Sequence, residues 1–506
     1  MSRKKKQSKK AKENRKVKGA LKQAPQLLRG MKDILPQEQK YWELIRSKVE
    51  KLAPVYGFGK IDTPLLEETR LFERAVGEGT DIVEKEMFSF TDQGGDNISL
   101  RPEATASIVR AYTEHGMLNL PQPVKLWYWG PMFRYDRPQA GRLRQFNQFG
   151  FEVLGSLDSV VDAQLILIFY KLCQELKLDA TVQINSIGCP ECRDEYQKIL
   201  VDFFRTKKNF LCDTCRIRLT KNPLRILDCK EEECKALSAE APQIIDFLCE
   251  ECKEHFIKVL EHLDELEIPY NLNSRLVRGL DYYTKTVFEI WPTFAPDGAS
   301  AGKPTLAPVE TGTSADEAAL SENVASDTKQ TKETKAANPQ KSDGDKDSET
   351  EMDTDKVADD PGRLALGGGG RYDDLVEMLG GRPTPAVGFS CGIERLILCL
   401  KKQGGQVRTG RKVDIFVAQL GDQAKKRSLK LFEDLRCKGV KVAENLAKEG
   451  LKSQLEIANK LGVKYSLILG QKEMLDKTII IRDMESGVQE VVDFDKVLVE
   501  IKKRLK

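Results

Sequence analysis

From Thr293 to Pro361 the chain is rich in Thr, Ser, Ala, Asp, Glu and Lys, and it has no aromatic residue after Phe294. Such a stretch cannot bury enough apolar surface to offset the entropy of ordering it, so 293–361 reads as a disordered insertion. This constrains every other element, because the chain before and after the insertion must close into one body with the two ends meeting as neighbouring strands. Loop-closure entropy rises only slowly with length, so the fold can tolerate the interruption. At 506 residues the chain exceeds what one hydrophobic core serves, and two or more domains are expected.

The net charge of +3 is too small to identify a polyanionic partner, but the opening run MSRKKKQSKKAKENRKVKGALK concentrates Lys and Arg with almost no acid. We read 1–24 as a basic, disordered tail able to add phosphate contacts. No run of about 18 apolar residues occurs and the N-terminus lacks an apolar core after its basic residues, so no membrane partner, membrane span or secretory signal is expected, and the location is cytoplasmic.

Helical spacing of apolar residues predicts a helix over 28–52, then strand-like pieces in YGFGKIDTPLLEE and EMFSFTDQGGDNISLRP with a Gly-rich hairpin between them. SIVRAYTEHGM reads as a helix. VKLWYWGPMFRYDRPQAGRLRQFNQFGFEVLG reads as strand, polar turn and strand, and VVDAQLILIFYKLCQELKL as a further helix. Strands then helices without a regular βαβ repeat predict an α+β fold, an antiparallel sheet flanked by helices, over 25–400. A linker at 401–411 is followed over 412–506 by short buried strands (VDIFVAQL, VKVAENL, YSLILGQ, KTIIIRD) alternating with two helices, a compact α/β domain.

Between Leu276 and Ile290 the chain reads LVRGLDYYTKTVFEI. Alone this is an ordinary buried strand with one arginine. If it is a strand, Tyr282 and Tyr283 point to opposite faces, one ring in the core and the other offering its hydroxyl to a ligand. It is accompanied, in order, by RPEATA (Arg101–Ala106), MFRYDRPQAGRLRQFNQFGFEVLG (Met132–Gly155), LGGGGRYDDLVEMLGG (Leu366–Gly381) and AVGFSCGIERL (Ala386–Leu396). Together these resemble the signature and motifs of histidyl-tRNA synthetases, class II aminoacyl-tRNA synthetases, over nearly all of the chain from about Leu28 onward. The resemblance implies a class II catalytic domain, a helical Cys-rich insertion over 180–268 and a C-terminal anticodon-binding domain.

The activity it implies is histidine activation by ATP with Mg2+, followed by transfer to tRNA(His), in a homodimer paired around YGFGKIDTPLLEE. A carboxylate attacking the α-phosphate brings two anions together, so positioning and positive charge must carry the catalysis. By resemblance Arg134 contacts the α-phosphate, Arg142 and Arg395 hold the outer phosphates, and Phe146 stacks on adenine. Arg278, near the carboxylate and α-phosphate, would replace a magnesium ion of related enzymes; a guanidinium stays charged and grips two oxygens at once. Arg278 and Arg134 are thus the implied catalytic residues. Neutral imidazole offers one donor and one acceptor, and the resemblance places Glu152 and Tyr283 against it, with Glu103 and Thr105 at the ammonium, Gln148 beside its polar end, and Tyr282 and Tyr372 in the pocket. Arg137 and Gln139 would meet the acceptor end of the tRNA. Tyr135 and Asp136 stand where the family more often has histidine and glutamate. His115, His255 and His262 lie outside these motifs, so no enzyme histidine is expected in acid–base catalysis. The GGGG before Arg371 lacks the lysine of a phosphate loop and reads as a flexible turn allowing close backbone approach.

Eight of the 12 cysteines lie between Cys189 and Cys252, as GCPEC, LCDTC, DCKEEEC and LCEEC. Structural zinc and reduced buried thiols are the two readings. Arg193 to Phe210 looks helical and about 18 helical residues span roughly 27 Å, so Cys189/Cys192 cannot simply join Cys212/Cys215. Bringing Cys229 and Cys234 back to Cys189 and Cys192 is easier, and the pairing stays open. Cys173, Cys391, Cys399 and Cys437 sit among apolar residues as expected core. The rival to an enzyme is an inert synthetase-like relative, a histidine or tRNA sensor or regulatory subunit; it can lose the phosphate-binding arginines or the anticodon-binding domain, and this chain keeps both.

Overall fold

The computed structural model describes residues 25–77, 79–139, 141–293, 364–404 and 413–505, which form two compact units. The basic tail, nearly all of the low-complexity insertion and most of the linker lie outside the described residues. The predicted first helix runs Pro36–Val55 rather than 28–52. Gly30, at φ 82°, breaks helical continuation ahead of it, and Pro36 suits a first helical turn.

Eleven strands build the first unit: β1 (Gly59–Lys60), β2 (Leu66–Glu68), β3 (Phe88–Thr91), β4 (Asn97–Leu100), β5 (Val124–Phe133), β6 (Gln145–Leu154), β7 (Ala180–Ser186), β8 (Tyr270–Leu272), β9 (Thr284–Pro292), β10 (Gly367–Arg371) and β11 (Ala386–Gly392). Eight of them form one sheet in the order β1-β5-β6-β11-β10-β9-β7-β8, and β2-β4-β3 form a small second sheet. Pairing in the large sheet is antiparallel except at the two edges, β1 with β5 and β7 with β8. This is the predicted sheet flanked by helices. β9 and β10 are adjacent, with Leu366 N–H donating to Ile290 O at 2.8 Å, so the chain on either side of the insertion does meet as neighbouring strands.

Side chains alternate across the sheet. On one face Phe149, Phe151 and Val153 of β6 are buried toward the helix Ser159–Glu175, where Phe169 stacks on Phe389 (4.9 Å between ring centroids) and Phe389 on Phe151 (5.2 Å). Asp158 caps that helix by accepting the Val160 N–H at 3.1 Å. At the end of β10, the fully buried Arg371 pairs with the fully buried Asp162 and donates to Ser156 O at 2.8 Å and Asp158 O at 3.2 Å. Burial alone would raise the Asp162 carboxyl, but Arg371 and His255 hold it below the usual range.

The GGGG run is therefore a strand in the middle of the sheet, not a turn. A Cβ on Gly369 would lie 2.0 Å from Gly388 O and one on Gly368 2.4 Å from Phe288 O, so the glycines serve close approach between strands. Tyr282 and Tyr283 likewise lie in the turn before β9 rather than within a strand. Both rings are buried side by side, centroids 4.7 Å apart, and do not take opposite faces.

In the second unit β12 (Ile415–Gln419), β13 (Val442–Glu444), β14 (Tyr465–Leu469), β15 (Thr478–Asp483) and β16 (Gln489–Asp493) form a sheet ordered β13-β12-β14-β15-β16. The first three are parallel and the last two antiparallel. Alternation along β12 sends Ile415 and Val417 into one apolar cluster with Leu431, Leu435 and Leu467, and Phe416 and Ala418 into another with Ala458 and Ile468. Cys437, expected in the core, is exposed: it ends the helix Asp422–Cys437 and donates to Glu433 at 3.4 Å. Cys173, Cys391 and Cys399 are buried.

Candidate active site

The face of the sheet opposite the Ser159–Glu175 helix floors a cavity of about 760 Å3. Register explains its shape. Glu152 of β6 lies opposite Gly388 of β11, Tyr128 of β5 opposite Gly150, and Gln148 between Gly130 and Gly392. Each large polar group on the floor faces glycine, and the space is needed: a Cβ on Gly388 would lie 1.6 Å from Glu152 Oε2. Glu152, fully enclosed, accepts from Thr105 Oγ1 at 2.9 Å and from the Tyr372 hydroxyl at 2.5 Å. Burial pushes its carboxyl up to about 8; the two hydroxyls oppose that rise and the neighbouring Glu103 charge adds to it. Glu103 is buried too and accepts the N–H groups of Thr105 (2.6 Å) and Ala106 (2.9 Å) at the start of the helix Thr105–Glu114. Tyr282, Tyr283 and Tyr372 form one ring cluster beside these carboxyls, with Tyr282 and Tyr372 centroids 5.7 Å apart.

Cations line the walls. Arg134 donates to Pro102 O at 2.9 Å and its guanidinium lies 5.6 Å from the centre of the Phe146 ring. Arg142 pairs with Asp136 at 3.0 Å. Arg395 is tied to Gly141 O at 3.2 Å and Ala365 O at 2.8 Å, both neutral partners, so its charge is not cancelled. Arg278 pairs with Glu289 at 2.7 Å. Three buried atoms of the lining, Arg225 Nε, Arg278 Nε and Gln148 Oε1, have no hydrogen-bond partner among the described residues. Buried polar groups are almost always satisfied, so two orphan donors and an orphan acceptor in one cavity point to a polar ligand.

The structure thus brings Glu103, Thr105, Arg134, Arg142, Phe146, Gln148, Glu152, Arg278, Tyr282, Tyr283, Tyr372 and Arg395 into one cavity. It does not bring in Arg137 and Gln139, which stand exposed on the β5–β6 turn outside the cavity lining. Sequence reasoning missed Glu289, the partner of Arg278, although it lies within the quoted signature; nothing local distinguishes it from a surface acid. It also missed Arg218, Arg225 and Lys230, which reach the cavity from the Cys-rich insertion. No local signal marks them, because the packing of the insertion decides their position.

That packing is specific. Arg193 donates to Asp281 O (3.2 Å) and Tyr283 O (2.9 Å), Asn222 to Asp281 Oδ1 (2.9 Å), and Arg218 pairs with Asp81 (3.0 Å). The eight insertion cysteines form two sets, Cys189–Cys192–Cys249–Cys252 and Cys212–Cys215–Cys229–Cys234, with the sulfurs of each set within 4.8 Å of one another. Of the pairings left open, Cys229 and Cys234 thus join Cys212 and Cys215, not Cys189 and Cys192, the arrangement that looks easier in the sequence. The helix Pro190–Thr206 does separate the first two CxxC pairs, but the start of the helix Glu250–Glu265 returns Cys249 and Cys252 to Cys189.

A family model described as histidyl-tRNA synthetase matches residues 30–189, and one described as an anticodon-binding domain matches 414–504. A histidine–tRNA ligase of Dehalococcoides mccartyi (strain 195) is 40% identical over 478 residues, covering 94% of this chain and 99% of the relative. One from Pelotomaculum thermopropionicum is 41% identical, with 94% and 97% covered. The crystal structure of apo S. aureus histidyl-tRNA synthetase superposes with a TM-score of 0.68 at 32% identity, covering 95% of this chain and all of that one. The chain belongs to the histidyl-tRNA synthetase family.

Proposed function

We propose that this chain is a histidine–tRNA ligase, whose cavity joins L-histidine to ATP, releasing pyrophosphate, and then transfers the histidyl group to the 3′ end of tRNA(His). The observation that carries this reading is Glu152, a buried carboxyl on a glycine-cleared floor, facing a wall of arginines. Glu152 would accept the imidazole N–H and Tyr283 serve its other nitrogen. Glu103 and Thr105 would hold the ammonium, with Gln148, Tyr282 and Tyr372 completing the pocket. Arg278 would bridge the substrate carboxylate and the α-phosphate with Arg134, and Arg142 and Arg395 would hold the outer phosphates, with Phe146 under adenine. Such preorganised charge needs no reorganisation when the two anions are brought into line. Magnesium enters with ATP as its counter-ion. Arg137 and Gln139, exposed on the turn outside the cavity lining, would meet a large substrate such as the tRNA acceptor end.

The same reading assigns catalysis to 25–400 and anticodon binding to 412–506, and a cytoplasmic location, which suits 12 cysteines without a disulfide. Among the described residues no helix is long and apolar enough to cross a membrane. Pairing into a homodimer is supported by β1, an exposed sheet edge flanked by the exposed Val55, Leu65 and Leu66. Structural zinc fits both cysteine sets: a zinc ion with thiolates at about 2.3 Å holds sulfurs roughly 3.8 Å apart. Cys212 and Cys229 already stand at 3.8 Å, and Cys192 Sγ accepts the Cys249 N–H at 3.1 Å. The test is ATP–pyrophosphate exchange with each amino acid in turn. Exchange with histidine alone is expected; exchange with none, alongside retained histidine binding, would favour the inert sensor.

A further inference from the structure

The cavity has a cation that the histidine ligase reading does not use. Lys230 follows Cys229 in the turn before the helix Glu232–Ala239 and opens onto the cavity between Asp228 and Glu231. It lines the same cavity as Arg142 and Arg395, with the acids Asp136 and Asp228 also in that lining. Among the described residues its side chain makes no ion pair or hydrogen bond. Of the two arginines, Arg142 has Asp136 as a counter-ion and Arg395 is bound to carbonyls. Like charges converging on one cavity repel unless a polyanion lies between them, and a lysine ammonium is well suited to bind phosphate as a point charge.

Lys230 is also tied to a built structure. Cys229 is buried and belongs to the Cys212–Cys215–Cys229–Cys234 set, whose Cys212 N–H donates to Cys234 Sγ at 3.3 Å and whose Cys215 N–H donates to Cys212 Sγ at 3.4 Å. N–H groups aimed at sulfur stabilise thiolates, the form that binds metal. The other set stands at the root of the insertion, where Arg193, next to Cys192, holds the turn carrying Asp281 and Tyr283. Two sets of the same composition thus serve different places, one the base of the insertion and one the rim of the cavity.

We propose that Lys230 is a further binding residue for the outer phosphates of ATP, brought to the cavity by a metal ion held on Cys212, Cys215, Cys229 and Cys234. This rests on the reading that Arg142 and Arg395 face those phosphates. A phosphate of the tRNA end offers the same chemistry, and the assignment to ATP follows from Lys230 sharing its neighbourhood with these two arginines.

The test uses the full-length protein as purified with its metal. In Lys230→Met, metal content and melting temperature should be unchanged, while KM for ATP in pyrophosphate exchange rises about 10-fold or more, the loss expected for one hydrogen bond to a charged group, with KM for histidine unaltered. Cys229→Ser should lose one of two metal equivalents by elemental analysis and weaken ATP binding, measured by calorimetry with a non-hydrolysable analogue, to a similar extent. Normal ATP affinity in Lys230→Met, including the case where only tRNA charging falls, would overturn the proposal. Loss of the metal in Cys229→Ser with normal ATP affinity would overturn the metal's part in it. Arg142→Ala separates the layers: normal ATP affinity there as well would remove the underlying reading of the cavity, whereas a defect there and none in Lys230→Met removes the proposal alone.

Discussion

The floor of the cavity and its Cys-rich wall are held by opposite means. The floor is backbone: β5, β6, β11, β10 and β9 pair residue by residue, so Glu152 and Gln148 are placed by register, and a slip of one residue would turn both away from the cavity. The wall consists of short helices and turns. It is packed through buried side chains, Tyr196, Leu200, Leu219 and Ile226 sharing a core with Val76 and Ile82, and adds partly exposed ion pairs, Arg218 with Asp81 at 3.0 Å and Lys221 with Glu84 at 2.7 Å, and two sets of four thiols. Ion pairs of that kind contribute little, typically below about 1 kcal/mol each. The floor therefore depends on residue identity at fixed positions, whereas the wall depends on apolar packing and on whatever joins its cysteines.

The comparison can be broken in three places, taken from the largest expected effect to the smallest. Arg278→Ala removes a preorganised charge beside the floor and should cut adenylate formation on the order of 100- to 1000-fold with the fold intact. Near-normal exchange would remove Arg278 from the chemistry. Replacing Cys189 and Cys192 together with serine acts at the root of the wall, beside Arg193: one metal equivalent should disappear and the melting temperature drop by several degrees. A metal-free wild-type protein, or no shift in melting, would show that the wall stands on reduced thiols. Taken per pH unit, the smallest effect is a pH slope. With its carboxyl raised from 4.5 to about 8 by burial, Glu152 keeps in the fold a proton that the unfolded chain gives up. Its contribution to stability is fully present below the ordinary carboxylate value and is lost as pH rises toward 8. Ligand-free wild type should therefore lose stability relative to Glu152→Gln across that window, with a slope approaching about 1.4 kcal/mol per pH unit. Parallel curves would mean that the carboxyl is already charged in the fold.

The same division separates what could be read in advance from what could not. β5, β6 and the helix Ser159–Glu175 were legible because their patterns are local: alternation and turn residues in the hairpin, an apolar stripe in the helix. The twelve residues that meet in the cavity were legible through their motifs. Long-range pairing was not legible. Four glycines in a row look like a turn until β9 and β11 lie on either side, leaving no room for a Cβ. Tyr282 and Tyr283 look like alternating strand residues, yet Arg193 of the insertion captures the Asp281 and Tyr283 carbonyls and holds both rings in a turn. CxxC spacing marks ligand pairs but not which pairs meet; that depended on where the helix Glu250–Glu265 begins. Lys230 had no signal of its own for the same reason.

The central claim is that Glu152 reads the imidazole as an acceptor from the floor. In the ligand-free site its carboxyl, pushed up to about 8, holds a proton at neutral pH. Accepting the imidazole N–H requires the carboxylate, so binding must expel that proton. Calorimetry of histidine binding near neutral pH, in buffers of different ionisation enthalpy, should show close to one proton released per histidine in the wild type. Glu152→Gln should show none, and binding weakened roughly 5- to 150-fold by a poorly matched buried partner. No proton release in the wild type, or the same release and affinity in the variant, would contradict the account.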